Sequence, residues 1–135
     1  MSDIWIPKRW GGERIIVNNN QYCGKILVFM KSLACSLHAH KVKHETFYVA
    51  RGKVEIKYSD NFQDVLNDIT VYDTNFAVSK LYVCTLEKGD TFTVPVGRVH
   101  SMKGLEDGSE LYEFSTYDDP VDSYRLLDSS TMTGI

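Results

Sequence analysis

Between residues 53 and 58 polar and apolar side chains alternate without a break: Lys53-Val54-Glu55-Ile56-Lys57-Tyr58. A period of two puts Val54, Ile56 and Tyr58 on one face of an extended strand, and it cannot line one side of a helix. Six further segments, residues 14–17, 25–30, 45–50, 81–86, 91–94 and 110–116, are equally short and rich in β-branched and aromatic residues. Turn residues bound most of them, so each reads as a strand. Arg51-Gly52-Lys53 reads as a tight hairpin between two of them. Short strands at this spacing predict an all-β chain folded as a sandwich or barrel.

The rest of the chain is consistent with one domain over residues 1–135. Hydrophobic residues make up 43% and charged residues 24%, which excludes a disordered or fibrous chain. A net charge of −3 argues against a nucleic-acid partner. Apolar runs fall far short of the ~20 residues that span a bilayer, so no membrane role is expected. The start, Met1-Ser2-Asp3-Ile4-Trp5, lacks the basic-then-apolar pattern of a signal peptide. Cys23, Cys35 and Cys84 fit neither a CxxC site nor a disulfide framework, and read as buried thiols in a reducing, cytoplasmic setting. Residues 59–80 form an acidic insertion between barrel strands, compatible with an extra hairpin or a short helix. The small, polar tail, 128–135, is expected to fray.

Chemistry concentrates on histidine. Of four histidines, His38, His40 and His44 fall within seven residues, and Glu45 follows directly. On a strand His38 and His40 point to the same side, so two imidazoles can meet at one point. Glu45 lies an odd number of residues from His40 and cannot share that side on one unbroken strand. A turn at Lys41-Val42-Lys43 would place it early on the next strand, beside the histidines. By the same parity His44 points to the surface. The fourth histidine, His100, follows the turn Pro95-Val96-Gly97. Three imidazoles and a carboxylate suit a divalent transition metal with open coordination positions.

These residues resemble the cupin superfamily. Its first motif, G-x5-HxH-x4-E-x6-G, reads here as Ser32, His38-Ala39-His40, Glu45 and Gly52. Its second, G-x5-PxG-x2-H-x3-N, reads as Gly89, Pro95-Val96-Gly97, His100 and Gly104. Ser32 and Gly104 depart from the pattern, and neither is a ligand position. The resemblance implies a single cupin jelly-roll barrel with His38, His40, Glu45 and His100 holding one metal ion per chain, whether Mn, Zn, Fe, Co or Ni.

Within that superfamily the chain looks most like small sugar isomerases. Pro7-Lys8-Arg9-Trp10-Gly11-Gly12-Glu13 resembles the opening of the type II phosphomannose isomerase domain. Leu111-Tyr112-Glu113-Phe114-Ser115 and Asp122-Ser123-Tyr124-Arg125-Leu126-Leu127-Asp128 resemble its closing segments. His38-x-His40-x-x-Lys43-x-Glu45 is similar to the HxHxxKxE pattern of D-lyxose isomerases. The activity implied is aldose–ketose exchange on a sugar or sugar phosphate. Such chemistry needs a base near the metal, and Lys43 and Glu113 are the candidates. Arg9, Lys25 and Arg125 are candidates for phosphate or sugar hydroxyls. A cupin lyase or oxygenase, and a module that binds a sugar or nucleotide sugar without turnover, are the alternatives. A homodimer is expected, with residues 1–13 as an arm and the two tryptophans of 4–10 at its contact.

Overall fold

The period of two carries through into three dimensions. In the computed structural model, which describes residues 4–135, strands β1 (Ile4–Lys8), β2 (Gly11–Asn18), β3 (Cys23–Phe29), β4 (Leu37–His40), β5 (Glu45–Arg51) and β6 (Lys53–Ser59) lead into two helices, α1 (Phe62–Val71) and α2 (Thr74–Ser79). Strands β7 (Tyr82–Glu87), β8 (Thr91–Val94), β9 (Val99–Gly104), β10 (Ser109–Ser115) and β11 (Ser123–Leu127) follow, and helix α3 (Ser129–Thr133) comes last. The strands form two antiparallel sheets, ordered β1-β2-β3-β10-β5-β8 and β11-β4-β9-β6-β7. Among the described residues no helix is long and apolar enough to cross a membrane.

Side chains of one parity meet between the sheets. Leu27, Phe29, Phe47, Val49, Val54, Ile56, Met102 and Leu111 form that core, and Tyr58 packs against it. On β4 and at the start of β9 the other parity is apolar as well. Leu37, Ala39 and Val99 pack outward on Val65, Val78 and Met132 of the three helices. So β4 and β9 are buried on both faces, and the inward positions between Leu37, Ala39 and Val99 are His38, His40 and His100.

Several expectations need correction. Arg51-Gly52-Lys53 is not a hairpin, because β5 and β6 belong to different sheets. It is a corner, and Gly52 turns it with φ +79°, where a Cβ would stand 2.3 Å from Ser109 Oγ. Gly52→Ala is expected to cost about 2–4 kcal/mol, from the left-handed backbone and the clash together. Gly89→Ala should cost less, since Gly89 has φ +94° but open space around it. Urea unfolding of both variants checks this, and equal costs would remove the clash from the explanation.

Of the two forms open to residues 59–80, the helical one is found, as α1 and α2. Asn61 caps α1 by accepting from the Asp64 N–H, and Asp73 caps α2 by accepting from that of Phe76. In the tail expected to fray, Asp128 caps a short helix, α3, and Met132 is 1% exposed beneath it. The expected arm covers residues 1–3, which lie outside the described residues, but from Ile4 it pairs with β2 of its own chain. The two departures from the cupin motifs also have reasons. Ser32 keeps a glycine-like φ of +69°. At Gly104 a Cβ would stand 2.6 Å from the Met30 carbonyl oxygen, so no larger residue fits.

Candidate metal centre and its cavity

Strand pairing sets the histidines side by side. His38 lies directly across from His100 on β9, and His40 follows two residues on along β4. Ligand nitrogens of His38, His40 and His100 all lie within 4.8 Å of one another. Glu45 comes from the opposite sheet, reaching across the barrel interior. Its Oε1 is 3.1 Å from His100 Nε2 and 3.7 Å from His40 Nε2.

The surrounding hydrogen bonds select the ligand form of these rings. His38 Nδ1 sits 2.9 Å from the Ser36 carbonyl oxygen, and His100 Nδ1 sits 3.0 Å from that of Arg98. A ring N–H donating to each carbonyl leaves the Nε2 lone pair facing inward. His100 Nε2 is buried without a hydrogen bond although the Glu45 carboxylate is beside it. Two lone pairs about 3 Å apart repel unless a cation lies between them, and that is the usual separation of two donors on one small metal ion.

Charge agrees with that fit. Burial, followed by the neighbouring His100 and His40, pushes the His38 ring from 6.5 down to about 3, which keeps it neutral. His40 is lowered too, chiefly by burial, with Lys43 and His100 adding to it. Burial alone would raise the Glu45 carboxyl. His100, Lys43 and His40 outweigh it and hold the group well below the usual carboxylate range.

These shifts give a pH prediction for the metal-free protein. Below pH 6.5 the unfolded chain protonates His38 and the folded chain does not. The unfolded state therefore binds more protons, and stability rises with pH. That contribution is complete above 6.5 and is lost as pH falls toward 3. Glu45 works in the same direction in the carboxylate range. The urea midpoint of chelator-treated protein should fall steadily from about pH 7 to about pH 4; a midpoint that stays level or rises would contradict the assignment.

Beside the histidines lies a buried ionic network. Lys43 Nζ is 2.8 Å from Glu113 Oε2, 3.0 Å from Asp118 Oδ1 and 3.2 Å from Glu45 Oε2. Lys25 Nζ is 2.5 Å from Asp118 Oδ2 and 3.2 Å from Glu13 Oε1. Ser115 Oγ donates to Glu113 Oε2 at 2.9 Å. Burial opposes charge on both lysines, but the surrounding carboxylates outweigh it and raise both above the ordinary lysine value. Glu113 is raised, first by burial and then by the charge on Glu45, while Lys43 and Lys25 oppose the shift. Four carboxylates (Glu13, Glu45, Glu113, Asp118) against two ammonium groups leave a formal charge of −2, which one divalent cation would neutralise.

All of this opens onto one cavity of about 560 Å³. Trp10, stacked on Phe29 with ring centroids 4.4 Å apart, forms part of its wall. Lys8, Arg9 and Arg125 line it as exposed residues at the rim. Thus the structure gathers His38, His40, Glu45 and His100, and sets Lys43 against Glu113. Lys25 lines the cavity with its ammonium engaged by Glu13 and Asp118. His44 is exposed.

Three acids were not singled out from the sequence. Glu13 is legible only as part of the opening segment, and Asp118 sits in a loop with no periodic signal. Asp122 accepts from the backbone N–H groups of Lys41, Val42 and Lys43. Its Oδ2 is also 3.7 Å from His40 Nδ1. It clamps the turn between two ligand strands and stands behind one ligand.

Fold and site together define a β-barrel with a three-histidine cluster suited to a metal ion, facing an open polar cavity. The cupin family model matches residues 18–133, and the chain belongs to that family. No curated protein sequence matches it. Among solved structures, the capsular polysaccharide assembling protein CapF from Staphylococcus aureus aligns with TM-score 0.70 and 18% identity over 93% of this chain and 34% of its own. Oxalate decarboxylase from Bacillus subtilis aligns with TM-score 0.71 and 17% identity over 92% of this chain and 30% of its own. KdgF from Halomonas sp. aligns with TM-score 0.65 and 15% identity over 87% of this chain and 88% of its own. The chain thus spans about a third of CapF and of oxalate decarboxylase, and nearly all of KdgF.

Proposed function

We propose that this cupin is a metal-dependent isomerase that interconverts an aldose and a ketose, free or phosphorylated. The observation that carries the reading is the contact between Lys43 and Glu113, 2.8 Å apart and buried within the same cavity as the histidines. A buried carboxylate held by a charged lysine in that cavity supplies the proton-transferring group that isomerisation requires.

His38, His40, His100 and Glu45 would hold the ion, which supplies Lewis acidity toward the carbonyl and hydroxyl oxygens of the sugar. Glu113 takes the proton from the carbon next to the carbonyl and returns it to the neighbouring carbon. Burial and the neighbouring Glu45 raise its pKa above the ordinary carboxylate value, which makes it a stronger base than an exposed carboxylate. Ser115 and Lys43 orient that carboxylate, and Asp118 and Lys25 hold Lys43 in place. At the rim Arg9 and Arg125 take the anionic end of a phosphorylated substrate, while the balanced interior receives its neutral hydroxyls.

The test is a panel of aldoses, ketoses and their phosphates, with protein loaded in turn with Mn²⁺, Zn²⁺, Fe²⁺, Co²⁺ and Ni²⁺. Isomer formation with solvent deuterium entering at carbon, and at least ~100-fold slower exchange in Glu113→Gln with metal retained, is the expected result. Oxygen uptake or release of carbon dioxide would favour an oxygenase or lyase instead. Saturable sugar binding with no product would leave a binding module.

A further inference from the structure

The three rings of the cluster are not held alike. His38 and His100 each set Nδ1 against a backbone carbonyl oxygen. His40 Nδ1 has no hydrogen bond although it is buried, and the group beside it is a carboxylate, with Asp122 Oδ2 3.7 Å away. On the other side of the ring, Nε2 lies 3.7 Å from Glu45 Oε1.

Asp122 is 7% exposed and is fixed by the backbone. Its Oδ1 accepts from the N–H groups of Lys41 and Val42 at 3.1 and 2.9 Å, and its Oδ2 accepts from that of Lys43 at 2.9 Å. Oδ1 thus has two donors, while Oδ2, the oxygen beside His40, has room for a second. The main chain holds the same place. The Asp122 carbonyl oxygen accepts from the Lys41 N–H at 3.1 Å, and Ser123 pairs with His40 across β11 and β4. Burial lowers the His40 ring below its ordinary value, so near neutrality it carries one proton for two nitrogens. With the proton on Nδ1, the ring can donate to Asp122 and keep the Nε2 lone pair for an ion. With the proton on Nε2, a ring lone pair would confront a carboxylate oxygen, and Nε2 could ligate nothing.

From this arrangement we infer that Asp122 is a positioning residue of the metal centre: it fixes the tautomer of His40 and leaves Nε2 free to ligate. The same carboxylate orders the turn from Lys41 to Lys43, so one side chain sets both His40 at the end of β4 and Glu45 at the start of β5. The inference rests on the metal centre and is independent of the isomerase reading.

Two measurements test it, on the wild type, Asp122→Asn and Thr116→Val. Long-range proton–nitrogen NMR of the metal-free protein shows which His40 nitrogen carries the proton, and competition with a fluorescent chelator gives the affinity for Zn²⁺. In Asp122→Asn the amide oxygen can still serve Lys41 and Val42, but its NH₂ then faces His40 as a donor. Thr116 Oγ1 accepts from the His44 N–H at 3.1 Å, so Thr116→Val loosens the same turn without touching His40. The wild type should hold the proton on Nδ1. Asp122→Asn should move it to Nε2 and weaken Zn²⁺ binding by ~10–100-fold, while Thr116→Val changes neither. A wild-type proton on Nε2 overturns the proposal, and this reading stands even if Asp122→Asn fails to fold. Zn²⁺ affinity within ~3-fold of wild type in Asp122→Asn overturns it as well, being smaller than the loss of such a partner causes. An equal loss in Thr116→Val reduces Asp122 to a clamp on the turn. A wild type that binds no Zn²⁺ removes the metal centre itself, and the positioning role falls with it.

Discussion

His100→Ala is expected to abolish metal binding. Protein purified without a chelating tag should carry about one divalent transition metal per chain, and the variant close to none, by elemental mass spectrometry. His100 is 0% exposed, and its Nε2 faces Glu45 without a hydrogen bond, so a bound ion would resolve an otherwise unfavourable contact. At a free metal concentration ~100 times its dissociation constant, binding should stabilise the wild type by about 2.7 kcal/mol. For a chain of this length that is a Tm rise of roughly 10 °C. A chelator should remove the rise from the wild type and change nothing in His100→Ala. A wild type that stays metal-free after soaking with each candidate ion would dispose of the metal centre, and the proposed isomerase with it.

The second large effect is expected at Lys43. The residue is 3% exposed, and its ammonium lies against Glu45, Glu113 and Asp118. Lys43→Met keeps the length of the side chain and removes its charge. Three carboxylates would then face one another in a buried site, at a cost of about 3–5 kcal/mol. Adding Glu113→Gln should recover part of the loss, because one of the stranded charges is gone; a coupling of about 1–3 kcal/mol between the two positions is expected. Urea unfolding of the four members of the cycle measures it. A loss below about 1 kcal/mol for Lys43→Met, or simple additivity, would show that the network holds no charged lysine.

The two experiments separate two parts of the site. His100 governs metal binding, so the metal-dependent part of its effect vanishes with chelation, leaving only the cost of the cavity and of the lost Glu45 contact. Lys43 acts through carboxylates that are present with or without metal, so its effect on the fold persists in the metal-free protein. An isomerase needs both parts, whereas a metal-binding module needs only the first.

Much of this was written into local periodicity. Alternation places Val54 and Ile56 inside, and the same rule puts His38 and His40 on one side of β4 and leaves His44 in solvent. Glu45 could be assigned to the cluster only by inserting a turn, which Asp122 turns out to clamp. These are properties of a backbone with a two-residue repeat, and neighbours in sequence suffice to show them. What the repeat does not contain is which sheet a strand joins. Arg51-Gly52-Lys53 has the composition of a hairpin, yet its strands part company at a corner where Ser109 leaves room only for glycine. Glu45 therefore meets His100 across the barrel rather than along a ladder. Asp118 and Glu13 reach Lys25 from loop and strand positions far apart in the chain. Such contacts depend on the closure of two sheets over a shared interior, and no short-range pattern encodes them. The sequence alone determined strands β2, β3, β5, β6, β7, β8 and β10, the parity of the histidines and the family, and left β1, β9 and β11 unmarked. Only the tertiary structure decided that a buried network of lysines and carboxylates adjoins them, because its members meet solely when the barrel closes.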